Sequence, residues 1–240
     1  MGRKNQKDLV EEILDRRSRL VADQGRWGQL LPRLLILNQM AQLALRLDGE
    51  SAFARAEIAK YLAISYVAGI EGFCRLAYRD LIDQSTIFRG NVPNLDLKLT
   101  LRLDHIVGIE CGKMTLGEFI AHLLPLSSLE DINNAMSTLI GEEFLAKFKH
   151  TPLRLSQAEK SLEELGIWPE VLNSVKNLFA WRHIFAHELT IYEIDVGAVV
   201  ECAKWASIFL AAMSRFVTGL LGEKPSAVNS PPNPGPQADD

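Results

Sequence analysis

The sequence has few of the residues that carry metal, disulfide or thiol chemistry. Its 240 residues include three cysteines and five histidines. The cysteines Cys74, Cys111 and Cys202 lie far apart, are odd in number and form no CxxC pair. We therefore expect neither a disulfide framework nor a zinc knuckle. This cysteine usage is typical of a protein of the reducing cytoplasm, which is the location we predict.

The chain also lacks a large excess of charge of either sign. Its 26 lysines and arginines are set against 30 acidic residues, which gives a formal net charge of −4. This balance argues against a protein that coats nucleic acid through bulk electrostatics. It is compatible with an enzyme that contacts a few phosphates locally.

Long apolar runs are missing as well. The two most apolar stretches, ISYVAGIEGF and VGAVVECAKWASIFLAAM, are interrupted by Glu71, Glu201 and Lys204. Neither approaches 18 uninterrupted apolar residues, so we expect no membrane span. The N-terminal MGRKNQKDLVEEILDRR is polar throughout and lacks the apolar run of a signal peptide.

Apolar residues at helical spacing are abundant, and hydrophobic residues make up 48% of the chain. The pattern predicts an all-α fold, a helical bundle without a convincing strand pair. The predicted helices cover 7–22, 28–47, 53–83, 116–124, 128–139, 142–149, 156–164, 169–188 and 196–221. Residues 85–99, STIFRGNVPNLDLKL, read as a loop, and residues 99–113, LTLRLDHIVGIECGK, are ambiguous between helix and strand.

Single residues sharpen these boundaries. Pro32 is best placed in the first turn of a helix, and Asp195 is a good N-cap for the last helix. Gly69 and Gly72 interrupt the longest helix, which suggests close approach by a neighbouring backbone.

Three segments follow from this pattern. Residues 1–50 form an N-terminal helical extension, residues 51–222 the main helical domain, and residues 223–240 a disordered tail. The tail is rich in proline and polar residues and has no apolar periodicity.

The segment WRHIFAHEL, residues 181–189, combines Arg182, His183 and His187 in an otherwise apolar helix. The two histidines are four apart, as in zinc-binding helices, but Ile184 stands where a zincin needs glutamate, and Arg182 would repel a cation. A second interpretation is structural, because cations near a helix C-terminus interact favourably with the helix dipole.

The third interpretation is acid–base catalysis on a phosphodiester. Histidine titrates near neutrality and can accept or return a proton. Arginine stays cationic and can bind two phosphate oxygens while charge builds up on the phosphorus centre.

Arg182, four intervening residues and His187, on the penultimate helix of an all-helical chain, resemble the signature of the HEPN superfamily. The run LFAWRHIFAHEL is similar to the family's apolar-x-x-Arg-Asn-x-x-Ala-His pattern, including Ala186 before His187. Upstream, YVAGIEGFCRLAYRDLI resembles an earlier helix of one HEPN branch. The likeness covers about residues 55–215.

This resemblance implies an up-and-down helical bundle of HEPN type with extra N-terminal helices. It also implies a metal-independent endoribonuclease that needs no cofactor and whose site is composed across a homodimer. By position, Arg182 is the phosphate-stabilising cation and His187 the acid–base. His183 stands where the family usually has Asn, and Glu71 corresponds to an acid that can orient or pair with the arginine.

The family's biology implies a prokaryotic toxin or an antiphage or stress effector that cleaves RNA through a 2′,3′-cyclic phosphate. The expected partners are an RNA substrate and an antitoxin or other defence-system protein, and not a membrane. The alternative is a catalytically silent HEPN module that binds RNA, a nucleotide or a protein partner, and His183 in place of Asn favours it.

Overall fold

The computed structural model describes residues 11–15, 25–47, 52–97, 103–154, 158–187 and 195–222. These residues form an all-α bundle, and strand structure among them is limited to two paired dipeptides. The predicted fold class is therefore confirmed. Of the predicted helix at 7–22, residues 11–15 are helical and the rest lies outside the described residues, as does the predicted tail at 223–240.

Long helices alternate with short ones along the chain. In chain order they are α1 (Arg26–Arg46), α2 (Ala52–Gln84), α3 (Thr86–Gly90), α4 (Leu103–Glu110), α5 (Leu116–Leu123), α6 (Leu129–Ile140), α7 (Phe144–Phe148), α8 (Trp168–His187) and α9 (Val196–Leu220). A 3-10 turn covers Val92–Asn94, and strands β1 (Pro152–Leu153) and β2 (Lys160–Ser161) pair in antiparallel register between α7 and α8.

Helix α2 is the centre of the bundle and packs against α1, α5, α8 and α9. It is buried along much of its length, and Tyr66, Phe73 and Tyr78 are among its fully or almost fully buried side chains. Because four helices pack against it, α2 determines where these neighbours lie in the bundle.

Helix α1 shares this core. Its buried residues Leu30, Leu34 and Leu37 repeat at three- and four-residue spacing and belong to the same hydrophobic cluster as α2 and α9. The described part of the predicted N-terminal extension is thus packed into the main bundle.

The start of α1 differs from the prediction, which placed Pro32 in a first turn. The helix begins at Arg26, and Pro32 lies inside it. Proline in a helix interior removes one backbone hydrogen bond. The burial of Arg26 and Leu30 in the bundle holds the first turn in place, so tertiary packing overrides the local preference.

The two glycines of α2 do not mark the expected backbone approach. A Cβ built on Gly69 would meet only the Leu30 side chain, 3.8 Å away, and one built on Gly72 would meet nothing within 4 Å. The close approach occurs instead at Gly117, at the start of α5. A Cβ there would overlap the carbonyl oxygen of Arg79 and lie 2.7 Å from Asp83 Cγ.

Replacing Gly117 by alanine should therefore destabilise the protein, because a methyl group and the backbone of α2 cannot share this space. Overpacking of this kind costs about 1–3 kcal/mol, and more where backbone must move. Urea unfolding followed by circular dichroism measures the loss. The matched control is Gly72→Ala, which has open space and should stabilise its helix by about 0.5–1 kcal/mol. Equal effects of the two substitutions would contradict the close approach.

Two further predictions need correction. The predicted loop at 85–99, of which 85–97 are described, contains α3 and the following 3-10 turn. The N-cap of α3, Ser85, accepts a hydrogen bond from Phe88 N. The predicted helix at 156–164 is absent from the described residues of that range, which form β2 and a turn. Ser161 and Glu164 cap each other's backbone N–H groups, but Gly166, with φ of 67°, closes the segment after one turn.

The last two helices agree with their predictions. Helix α8 spans Trp168–His187 against a predicted 169–188, and Asp195 caps α9 by accepting a hydrogen bond from Ala198 N at 3.0 Å. Of the ambiguous range 99–113, residues 103–110 are helical, and 99–102 lie outside the described residues.

Within the described part of the chain, α9 is the one helix long and apolar enough to cross a membrane by length and composition alone. Half of its most apolar window is buried inside the bundle. A core helix passes the same test, and α9 packs on α1, α2 and α8.

Candidate functional site

Helix α8 positions the candidate motif. Its buried residues Val171, Val175 and Leu178 follow helical spacing and contact the core formed with α2 and α9. Arg182 lies about one helical turn after the buried Leu178, and His183 follows it. At this point the helix leaves the core and its side chains become partly exposed.

Arg182 is held by Glu71 of α2. Its Nη2 donates a hydrogen bond to Glu71 Oε1 at 3.1 Å. The arginine side chain is 34% exposed and the glutamate side chain 20%. A single contact leaves other N–H groups of the guanidinium for a further ligand, since arginine carries five such donors.

This contact brings together two of the four residues selected from the sequence. They are separated by 111 positions in the chain and meet because α2 and α8 pack together. Such a partly exposed pair contributes about 0–1 kcal/mol to stability, so its main effect is to orient the guanidinium. A catalytic role for either residue remains a prediction.

His183 is exposed and lies with Arg182 on a cleft between α8 and α6. The cleft has a volume of about 620 Å³. Lys176, six residues before Arg182 on α8, adds a second positive charge to this wall of the cleft. Glu130 supplies a negative charge on the opposite wall. The cleft therefore has cations on its α8 side and a carboxylate on its α6 side.

The opposite wall is the N-terminus of α6, which is already capped. Ser128 Oγ accepts from Asp131 N at 3.1 Å, and Asp131 accepts from Ser127 N at 3.0 Å and Ser127 Oγ at 2.6 Å. With this local cap and the carboxylates of Glu130 and Asp131 in its first turn, the helix end does not by itself attract an anion. The positive charge of the cleft comes from α8.

His187 is the last residue of α8. It follows His183 by one helical turn, and residues 188–194, together with the side chain of His187, lie outside the described part of the structure. The structure thus brings Glu71, Arg182 and His183 to one region and places the backbone of His187 at the adjoining end of the helix.

A second charged cluster was missed by the sequence reasoning. Asp80 on α2 is buried and accepts hydrogen bonds from Arg26 Nη1 and, at 2.7 Å, from Arg79 Nε. Arg26 Nη2 also lies 3.5 Å from Thr218 Oγ1 of α9. No local sequence pattern connects residues 26, 80 and 218, because only the packing of three helices brings them together.

The cysteines do not offer a nucleophile at the candidate site. All three are free thiols, and Cys74 and Cys202 are buried. Burial raises the pKa of Cys74 to about 12, so that its thiol is protonated at neutral pH. Among the described residues there is no group of three or more His, Cys, Asp or Glu side chains placed to hold a metal ion.

Comparisons of the chain with protein-family models, with characterised proteins and with solved structures gave no match.

Proposed function

We propose that the protein is a metal-independent endoribonuclease of HEPN type, acting as a prokaryotic toxin or as an antiphage or stress effector. The observation that carries the proposal is the position of Arg182. Its guanidinium is held by Glu71 at a cleft shared with His183 and Lys176, one helical turn or so before His187.

The proposed reaction is an internal transesterification of RNA. The ribose 2′-oxygen attacks the adjacent phosphorus as its proton passes to a base, the bond from phosphorus to the 5′-oxygen breaks, and that oxygen takes up a proton. The products are a 2′,3′-cyclic phosphate and a 5′-hydroxyl. His187 serves as the acid–base, and Arg182 stabilises the added negative charge on the phosphate oxygens.

The protein works as a homodimer in this proposal. Arg182 and His187 are five positions apart, which separates them by about 140° around a helix. A two-fold axis next to this end of α8 would place two arginine and histidine pairs around one cleft. Sedimentation of the protein with RNA at micromolar concentration tests this arrangement, and a strict monomer would contradict a composite site.

Arg182→Lys should reduce RNA cleavage by about 10²- to 10³-fold, the loss typical for a removed donor to a developing oxyanion. Lysine keeps the charge and can still pair with Glu71, but it lacks the planar fork that binds two phosphate oxygens. The substitution therefore separates the two roles of Arg182. Initial rates on a fluorescent RNA measure the effect, with thermal unfolding run in parallel.

Two variants serve as controls for this substitution. Glu71→Gln should lower the rate less than Arg182→Lys, because the carboxylate only orients the guanidinium. His183→Asn should retain or raise the rate, since an amide at this position can replace a hydrogen-bond donor. An Arg182→Lys protein with the full rate of cleavage would show that the pair with Glu71 is only a structural link between α2 and α8.

The second candidate function is a catalytically silent helical module that binds RNA, a nucleotide or a protein partner. The pairing of Arg182 with Glu71 favours it, since the carboxylate already accepts a hydrogen bond from the guanidinium and neutralises its charge in part. Binding of RNA to the purified protein without cleavage would support this candidate. Loss of binding in Arg182→Gln would then assign it to the same cleft.

A further inference from the structure

The cleft that contains Arg182 has two walls of opposite charge. Lys176 and Arg182 line it on the α8 side, and Glu130 and Asn133 line it on the α6 side. Within the described chain, Lys176 and Glu130 have no hydrogen-bond or ion-pair partner. A ligand that fits both walls presents negative charge to α8 and hydrogen-bond donors to the carboxylate on α6.

The amide of Asn133 is held by one hydrogen bond. Its Oδ1 accepts from Leu145 N, near the start of α7, at 3.2 Å. Because a main-chain N–H only donates, the oxygen faces Leu145 and the amide nitrogen faces away from it. This nitrogen donates to no other residue in the described part of the chain. Asn133 therefore has free donor hydrogens on the wall of the cleft.

Glu130 and Asn133 lie three positions apart on α6. Residues at this spacing are neighbours on one face of a helix, with Cβ atoms about 5–6 Å apart. Glu130 is exposed and Asn133 is half-buried. The ionised carboxylate offers two acceptor oxygens, and the amide nitrogen offers a donor. The α6 wall thus presents two acceptors beside one donor.

We propose that Glu130 and Asn133 bind the Watson–Crick edge of a guanine base, in an RNA whose phosphates contact Lys176 and Arg182. This inference rests on the proposed function in taking RNA as the ligand. The N1–H and N2–H groups of guanine donate to the two oxygens of Glu130, and Asn133 Nδ2 donates to guanine O6. Single-stranded RNA exposes this edge for such contacts.

The other three bases match this wall less well. Adenine and cytosine each have one donor group beside a ring acceptor, and uracil has its single N–H between two acceptor oxygens. None of them offers two adjacent donors to a carboxylate. One oxygen of Glu130 would face an acceptor or lose its partner, and a site built from hydrogen bonds discriminates strongly against such a ligand.

The cleft also has apolar surface for the flat face of a base. Leu129, Leu145 and Phe179 line it together with the polar residues. Its volume of about 620 Å³ lies within the range of small-ligand sites. A base on the α6 side and phosphates on the α8 side would keep the negative charges of the RNA away from Glu130.

Structural roles account for only part of this arrangement. Glu130 lies in the first turn of α6, where a carboxylate interacts favourably with the helix dipole. The bond from Leu145 N to Asn133 Oδ1 links α7 to α6. Neither role uses the amide nitrogen of Asn133 or the ammonium group of Lys176, and neither needs a cleft between the two walls.

Fluorescence anisotropy of labelled pentanucleotides tests the inference on the full chain. The probes are UUGUU, UUAUU, UUCUU and UUUUU with fluorine in place of each 2′-hydroxyl, so that transesterification cannot occur. UUGUU should bind about tenfold more tightly than the other three, or more, since a bidentate contact discriminates by this amount. Inosine in place of the guanosine lacks the N2 amino group and should bind about fivefold more weakly, or more.

Two substitutions remove the contacts to the base. Glu130→Gln loses one of the two acceptors, and Asn133→Asp keeps the acceptor for Leu145 N but turns an oxygen towards guanine O6. Each should reduce the guanine preference to less than about threefold. The matched control is Asn134→Asp, which adds the same charge to α6 outside the cleft and should keep the preference.

Lys176→Gln should weaken the binding of all four pentanucleotides by the same factor, because contacts to phosphate carry no sequence information. The ratio of the affinities is therefore the readout that separates base recognition from general binding. Thermal unfolding of each variant checks that the fold is kept.

Several results would overturn the inference. These are equal binding of the four pentanucleotides, no binding of any of them, inosine bound as tightly as guanosine, and a guanine preference that survives in both Glu130→Gln and Asn133→Asp. A guanine preference without cleavage of ordinary RNA would contradict the nuclease proposal alone. Cleavage of ordinary RNA without any preference in binding would contradict base recognition alone.

Discussion

Replacement of His187 by alanine is expected to lower the rate of RNA cleavage by about 100- to 10,000-fold, the usual cost of losing a general acid–base. The fold should remain. His187 is the last residue of α8, alanine is a strong helix former, and the lost interaction of a histidine with the helix dipole costs about 0.3–1 kcal/mol. The melting temperature should therefore fall by at most about 2–4 °C.

The matched control is His150→Ala. This histidine is exposed, its Nδ1 lies 3.0 Å from Glu163 Oε2, and it lies outside the cleft that contains Arg182. Its replacement should leave RNA cleavage unchanged. If His187→Ala unfolds the protein, or if the variant cleaves RNA as fast as the unaltered chain, the histidine is structural and the nuclease proposal fails.

Asp80→Asn should cause the largest loss of stability, about 3–5 kcal/mol, because it removes one partner of a buried ion pair. Asp80 and Arg26 are 7% and 8% exposed, respectively, so the guanidinium of Arg26 would remain buried beside an uncharged amide. Chemical denaturation in urea at neutral pH measures the free energy of unfolding.

The control for this substitution is Glu57→Gln, which breaks an exposed pair with Lys60 on the same helix. Surface pairs of this kind contribute about 0–1 kcal/mol. A loss in Asp80→Asn no larger than that in Glu57→Gln would show that water reaches Arg26 and that the pair does not tie α1 to α2.

The sequence was sufficient to predict helices whose boundaries are set by their own residues. Asp195 caps α9 through its own side chain, and the apolar spacing of α8 is continuous, so both agree with the structure. The helix predicted at 156–164 was wrong because apolar spacing does not reveal that Gly166 turns to a positive φ after one turn.

Contacts between distant residues were less predictable. The contact of Glu71 with Arg182 was anticipated through the family resemblance, not through any local pattern. Asp80 and its arginines were not anticipated, since three helices must pack before residues 26, 79, 80 and 218 come together. The glycines of α2 were interpreted as a close approach, whereas their common effect is to leave a cavity open.

The most direct test of the central claim is to incubate the purified protein with RNA in EDTA and to determine the ends of any fragments. Metal-independent transesterification predicts cleavage that persists in EDTA, is lost in His187→Ala, and leaves 2′,3′-cyclic phosphates and 5′-hydroxyls. RNA that stays intact in the presence and absence of EDTA, or cleavage that EDTA abolishes, would contradict this account.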